Sequence, residues 1–232
     1  MLTASGRLQQ KIDLVLPAFG TPGRLLLEHP RARELYPRYL EISAYLALST
    51  VPLMDAAFGR ASTLASQDPV AAGLADYLER HIPEEMHGDE PGQDVLSDLE
   101  ALGVDTVTLR EQPLPAKIGA LIGMHFFWIH QCHPVAILGY LEIEAHHPER
   151  TSVEQLIERT GLPRDGFRQL LLHAELDVEH AQELHRVLDE LPLEPCHEQL
   201  IGVSALQTFG LLIDAALDVV ADGTALAARA VS

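Results

Sequence analysis

His173, Asp177 and His180 repeat with the spacing His-x-x-x-Asp-x-x-His. At about 100° per residue these three positions fall within roughly 60° of arc on one helical face. Asp177 also sits in a row that otherwise carries Phe167, Leu170, Ala174, Ala181, Leu184 and Leu188. A carboxylate on such a stripe is costly to bury alone, and a cation held between it and two imidazoles removes that cost. The chemistry implied is metal binding by nitrogen and oxygen ligands. A polar helix edge with core histidines is the plainer reading of the same residues.

A second cluster, His81, Glu84 and His87, recurs every three residues. Glu84-x-x-His87 is a weak signal alone, because surface helices often carry such pairs. Paired Glu-x-x-His elements projecting into a helical bundle do, however, build di-iron carboxylate sites. A third helix could complete the set from Tyr140-Leu141-Glu142-Ile143-Glu144. Glu142 and Glu144 point about 200° apart on a helix, so one should enter the core and the other meet solvent. Periodicity leaves the choice open, because the surrounding segment is apolar on most sides.

The elements that must position these residues read as helices almost throughout. Segments at about 5–16, 32–61 with a kink at Pro52, 69–87, 94–102, 116–146, 165–191 and 194–221 have helical character. Asp68-Pro69 reads as N-cap and first helical residue. Thr151-Ser-Val-Glu154 has the spacing of a capping box, with a stop at Thr160-Gly161-Leu162-Pro163. His133-Pro134 predicts a kink in the 116–146 helix. No internal repeat or Gly/Ser-rich linker divides the chain. The expectation is an all-α single domain over 1–232, a bundle of about seven helices, with the metal-site helices at about 69–87, 116–146 and 165–191.

From about Tyr77 to Leu184 the chain resembles the haem-oxygenase-like di-iron oxidases and oxygenases, the iron-containing redox enzymes. The resemblance rests on His81-Ile-Pro-Glu-Glu-Met-His87, Asp98-Leu-Glu-Ala-Leu-Gly103, His133-Pro134, Gly139-Tyr140, Glu144-Ala145 before Pro148, and the His173/Asp177/His180 motif. It implies a fold shared with haem oxygenase, thiaminase II and pyrroloquinoline quinone synthase. Carried over residue by residue, it implies Glu84, His87, Glu144, His173, Asp177 and His180 as metal ligands. Tyr140 stands near them in sequence as a residue that could donate a hydrogen bond or be oxidised. His81, Glu85 and Glu142 are supporting or alternative ligands. The implied cofactor is two Fe(II) ions, with manganese as an alternative, and dioxygen is the co-substrate. The implied reaction is oxidation of a small amine, amino acid or fatty acid by N-oxygenation, desaturation or C–C cleavage. Two features depart from the pattern: only Met86 separates Glu85 from His87, and Glu90-Pro91-Gly92-Gln93 is a small insertion.

Composition narrows the alternatives. With 16 basic and 34 acidic residues the formal charge is −18, which repels phosphate backbones and argues against nucleic acid as partner. Arg164 and Arg168 follow a superficial helix-turn-helix pattern, but the segment continues strongly acidic. No uninterrupted apolar run reaches the roughly 18 residues of a bilayer span, and no signal-peptide pattern opens the chain, so no membrane partner and a cytoplasmic location are expected. Cys132 and Cys196 are too few for a disulfide framework. A homodimer is compatible with the fold. His125-Phe-Phe-Trp128 reads as a core aromatic cluster or a chamber wall; His130, His133, His146, His147 and His185 read as structural or solvent-facing. The competing functions are a non-catalytic metal-binding helical protein and a metal-free thiaminase II-like hydrolase, whose cysteine nucleophile would have to come from Cys196.

Overall fold

A computed structural model describes the backbone of residues 2–86, 91–146 and 148–230, and the side chains there apart from those of 175–181 and 223–230. Among the described residues the structure is helical, with no strand. The α-helices are α1 (Ala4–Asp13), α2 (Thr21–Glu28), α3 (Ala32–Leu64), α4 (Pro69–Glu85), α5 (Gln93–Ala101), α6 (Thr106–Glu111), α7 (Ala116–Phe127), α8 (Ile137–Glu144), α9 (Arg150–Thr160), α10 (Arg168–Glu190) and α11 (Pro195–Ala230). The expectation of about seven is too low. The 17–23 region read as a turn instead runs into α2, α6 is an additional short helix, and the 116–146 segment divides.

That division has a local cause. A π-helical turn, Trp128–Cys132, follows α7. His133 is then extended (φ −152°, ψ 140°), as the residue before proline is pushed to be. Pro134 starts a 3₁₀ turn that His133 caps by accepting from the Val135 N–H, and α8 follows. The kink expected here is a full break.

Other local signals act as their chemistry requires. Asp68 caps α4 by accepting from the Val70 and Ala71 N–H groups, with Pro69 next. Gly161 ends α9 in the left-handed region (φ 59°). The capping box at Thr151 does not form: α9 begins one residue earlier, without a side-chain cap. Glu154 instead pairs with Arg164 at 2.6 Å.

Two long helices organise the core. α3 runs through Pro37 and Pro52 and buries Leu40, Ala44, Leu53, Met54, Ala57 and Ala61, with α4 alongside it. α11 packs against α8 and α7. Both are long and apolar enough by composition to cross a membrane, although neither is an uninterrupted apolar run, and about half of each apolar window is buried among other helices.

Candidate metal centre

A cavity of about 680 Å³ opens between α2, α3, α4, α8, α9, α10 and α11. That volume lies within the roughly 300–1,000 Å³ of small-molecule sites. Leu26, Ile42, Leu46, Val51, Leu141 and Leu212 supply apolar wall, while Thr50, Tyr77, His81, Glu85, Glu144 and His173 contribute polar groups.

Glu144, at the end of α8, is the carboxylate that lines this space. Burial and then the charge of Glu85 push its carboxyl up to about 7, against Thr50, His173 and Tyr140, which favour the charged form. Thr50 Oγ1 lies 3.3 Å from Glu144 Oε2 and 2.8 Å from the Tyr140 hydroxyl. Thr50 and Tyr140 are both buried, so the two hydroxyls hold the carboxylate from the protein side. Tyr140 is itself pushed well above the ordinary phenol range, chiefly by burial.

Glu142 goes elsewhere. It is buried and accepts from His185 Nε2 at 3.0 Å, and its other oxygen has no hydrogen-bond partner among the described residues. It does not line the cavity. The 200° separation thus sorts the two glutamates, although both sit inside the protein rather than one in solvent.

On α4, Tyr77, His81 and Glu85 follow one another at intervals of four and line the cavity together. Glu84 lies off this row, with a side chain 54% exposed against 24% for Glu85. His81 Nδ1 is 3.3 Å from Glu84 Oε2, and its Nε2 is 3.3 Å from Glu85 Oε1. Burial alone would lower the imidazole pKa, but the two carboxylates raise it. The ring also stacks on Tyr77, centroids 4.9 Å apart. His81, Glu84 and Glu183 of α10 bring ligand atoms within 4.8 Å of one another. Sequence reasoning missed Glu183, although it falls one short turn after His180.

α10 is anchored at its start by Asp98 of α5. That buried carboxylate accepts from the Gln169 N–H at 2.8 Å and from Arg168 Nε at 3.2 Å. Leu170, His173 and Leu184 of α10 line the cavity. The side chains of Asp177 and His180, and residue His87 as a whole, lie outside the described residues.

A second cluster, Asp68, His133 and His197, also brings ligand atoms within 4.8 Å. Its hydrogen bonds argue against a metal. His133 Nδ1 accepts from the Val135 N–H, so the proton is on Nε2, which donates to Asp68 Oδ2 at 2.9 Å. His197 Nδ1 likewise accepts from the Glu194 N–H. Each ring thus carries its proton on Nε2, and His133 gives that proton to Asp68, which suits a clasp between helix ends rather than a ligand. His125 to Trp128 do not line the cavity: His125 is fully buried against Leu121 and Ser204, and Phe127 is largely exposed. Cys132 and Cys196 are both exposed and neither lines the cavity. A thiaminase-like nucleophile therefore has no cysteine there.

Residues 64–208 match the sequence model of the family described as iron-containing redox enzyme. The chain belongs to that family. No curated protein sequence matches this iron-containing redox enzyme family member. Among solved structures it is similar to a domain of unknown function with a haem oxygenase-like fold from Shewanella denitrificans. Identity there is 17%, covering 92% of this chain and 90% of that one, with a TM-score of 0.74. It is also similar to a CADD-like protein of unknown function from Nostoc punctiforme, 17% identical over 94% and 98% of the two chains, TM-score 0.68. A TenA homologue from Pseudomonas syringae pv. tomato is 12% identical over 93% of each chain, TM-score 0.53. The family member therefore has an all-α haem-oxygenase-like fold.

The donor set fits iron. Carboxylate and imidazole groups without thiolate suit non-haem iron, and three of them, Glu85, Glu144 and His173, share one cavity wall.

Proposed function

We propose that this chain is a non-haem iron oxidase or oxygenase that uses dioxygen to oxidise a small organic molecule held in the cavity. One observation carries the reading. The buried Glu144 carboxylate, the charge of Glu85 and the His173 imidazole interact across one end of an otherwise largely apolar cavity. Like charges at that range in a poorly solvated space are unfavourable unless a proton or a cation joins them.

The residues that would hold iron are Glu85, Glu144 and His173, completed by His87, Asp177 and His180. Positions 177 and 180 are four and seven residues beyond His173 in a continuous helix, so they share its face by the 3.6-residue period. Glu84, His81 and Glu183 flank this set and are the alternative donors. Bound iron, as a pair of ferrous ions or with manganese competing, would supply the electrons and open coordination positions that reaction with dioxygen needs.

The rest falls to the chain's own groups. Thr50 and Tyr140 orient the Glu144 carboxylate. Leu46, Val51 and Leu141 hold the substrate body and exclude water. His81, between two carboxylates, stores a proton beside the site. Substrates in keeping with the cavity are an amine, an amino acid or a fatty acid, oxidised by N-oxygenation, desaturation or C–C cleavage.

The test is anaerobic loading of the purified protein with Fe(II), removal of loose metal, and measurement of iron per chain, followed by dioxygen uptake with candidate substrates. Roughly two irons per chain, as di-iron bundle sites hold, and substrate-dependent uptake support the reading. No stoichiometric iron would sink it.

A further inference from the structure

Arg24, Arg60 and Arg186 are the described arginines whose side chains make no hydrogen bond or ion pair, and of the three Arg24 alone lines the cavity. Arg7, Arg31, Arg38, Arg164 and Arg168 pair with carboxylates. Arg33 and Arg159 donate to backbone carbonyls. Arg24 makes no side-chain hydrogen bond or ion pair among the described residues, in a chain with 34 acidic groups. It is also the sole lysine or arginine among the described residues that line the cavity.

Its position matters as much as its freedom. Arg24 lies on α2, which packs on α3, α9 and α11. The end of the cavity that carries Glu85, Glu144 and His173 is built from α4, α8 and α10, and Asp94 of α5 and Glu149 before α9 are the other acidic residues of the described lining. Arg24 is both exposed and part of the lining, which puts the residue at the rim of the cavity, with Leu26, Leu27 and Ile42 as apolar lining from the same part of the fold.

We propose that Arg24 is the anchor for an anionic head group, so that the substrate is an amphipathic acid whose apolar body enters the cavity and whose far end meets Glu85, Glu144 and His173. This rests on the oxidase reading for the identity of the reacting end. An arginine fork binds a carboxylate through paired charge-assisted hydrogen bonds. With no protein partner, Arg24 exchanges only water for that ligand. An amine head would meet a like charge at the same place, and a neutral head would gain little. Arg24, as the sole basic side chain other than histidine among the described lining residues, thus sets both the class of substrate and the direction in which it enters.

The experiment is calorimetric titration of the full chain, iron-loaded without dioxygen and also as purified, with phenylbutyrate, phenylbutanol and phenylbutylamine. The three share one apolar body and differ only in head charge. The acid is expected to bind roughly tenfold or more tightly than the others, the gain of one charge-assisted pair. Arg24→Gln should remove that preference while leaving the alcohol unchanged, and Arg24→Lys should restore part of it. Ser43→Trp, which fills the cavity from α3, should weaken all three. Equal binding of the three ligands, an unaffected Arg24→Gln variant, or acid binding indifferent to Ser43→Trp would overturn the proposal. Iron per chain is measured on the same samples. Loss of head-group preference in a chain that binds iron counts against the anchor alone, and a preference kept by a chain that takes up no iron on loading counts against the oxidase reading alone.

Discussion

A Cβ added to Gly139 would lie 2.2 Å from the carbonyl oxygen of Ile201. The Ala205 nitrogen would be only 2.8 Å away. Both are backbone atoms, so no rotamer change relieves the clash. The glycine sets how closely α8 approaches α11, and α8 carries Tyr140 and Glu144 into the interior. Gly139→Ala is therefore expected to destabilise by about 1–3 kcal/mol, the range for overpacking a core. The melting temperature should fall by roughly 2–4 °C per kcal/mol in a protein of this size. Gly123→Ala on α7 is the control, because nothing lies within 4 Å of its added Cβ. There the higher helix propensity of alanine should stabilise by up to about 1 kcal/mol. Opposite signs in a denaturant titration are the expected result; equal effects would mean that α8 and α11 part easily.

Acid should act through His125. Its ring is fully buried, with Nδ1 2.8 Å from the Leu121 carbonyl oxygen and Nε2 3.0 Å from Ser204 Oγ. Burial pushes its pKa down from 6.5 to about 4. The folded state binds this proton less readily than the unfolded chain. Stability is thus fully present above pH 6.5 and is lost as pH falls towards 4. At 1.36 kcal/mol per pKa unit, the loss is on the order of 3 kcal/mol. Unfolding free energy measured across this window should slope less steeply in His125→Gln than in the parent. Identical slopes would place the acid sensitivity elsewhere.

Most of the helices were legible in the sequence because they depend on local chemistry. Asp68-Pro69 caps a helix wherever that helix goes, and His173 with positions 177 and 180 shares a face by period alone. What sequence left open was rotation of one helix relative to the rest. Glu84 and Glu85 differ by 100° of arc on α4. The packing of Leu74, Tyr77, Leu78 and His81 turns Glu85, not Glu84, to the cavity. The same holds for Glu142 against Glu144. The capping-box spacing at Thr151 failed because Arg164, ten residues from Glu154, competes for its carboxylate. α2 and its Arg24 drew no notice because the Pro and Gly residues of 17–23 read as turn, and a lone arginine has no periodicity.

Glu142 and Glu144 offer a paired test on a single helix. Glu144→Gln removes a carboxylate that is costly to bury beside Glu85. The metal-free variant is expected to be as stable as the parent or more so, while its iron content falls sharply. Glu142→Gln should do the reverse. It weakens the pair with His185 at 3.0 Å but leaves the cavity wall intact. Iron per chain should be unchanged, with stability lowered by about 1.5–3 kcal/mol, the worth of a hydrogen bond to a charged group. Metal analysis alongside denaturant unfolding reads both effects. Loss of iron in the Glu142 variant would move the α8 ligand to the other face of the helix.

The two glutamates that end α4 divide in the same way. Glu85 shares the cavity wall with Glu144 and raises its proton affinity, whereas the Glu84 side chain is 54% exposed. Because α4 turns Glu85 to the cavity, Glu85→Gln should cut iron content by roughly half or more. Glu84→Gln should cost little iron, since an exposed group adds roughly 0–1 kcal/mol to an ion pair. The counter-ligand geometry Glu84-x-x-His87 makes the opposite forecast. It requires α4 to turn by about one residue, some 100°, when metal enters. Iron lost from Glu84→Gln but kept by Glu85→Gln would show that such a turn occurs. It would also make the His81, Glu84 and Glu183 group part of the metal centre rather than its neighbour.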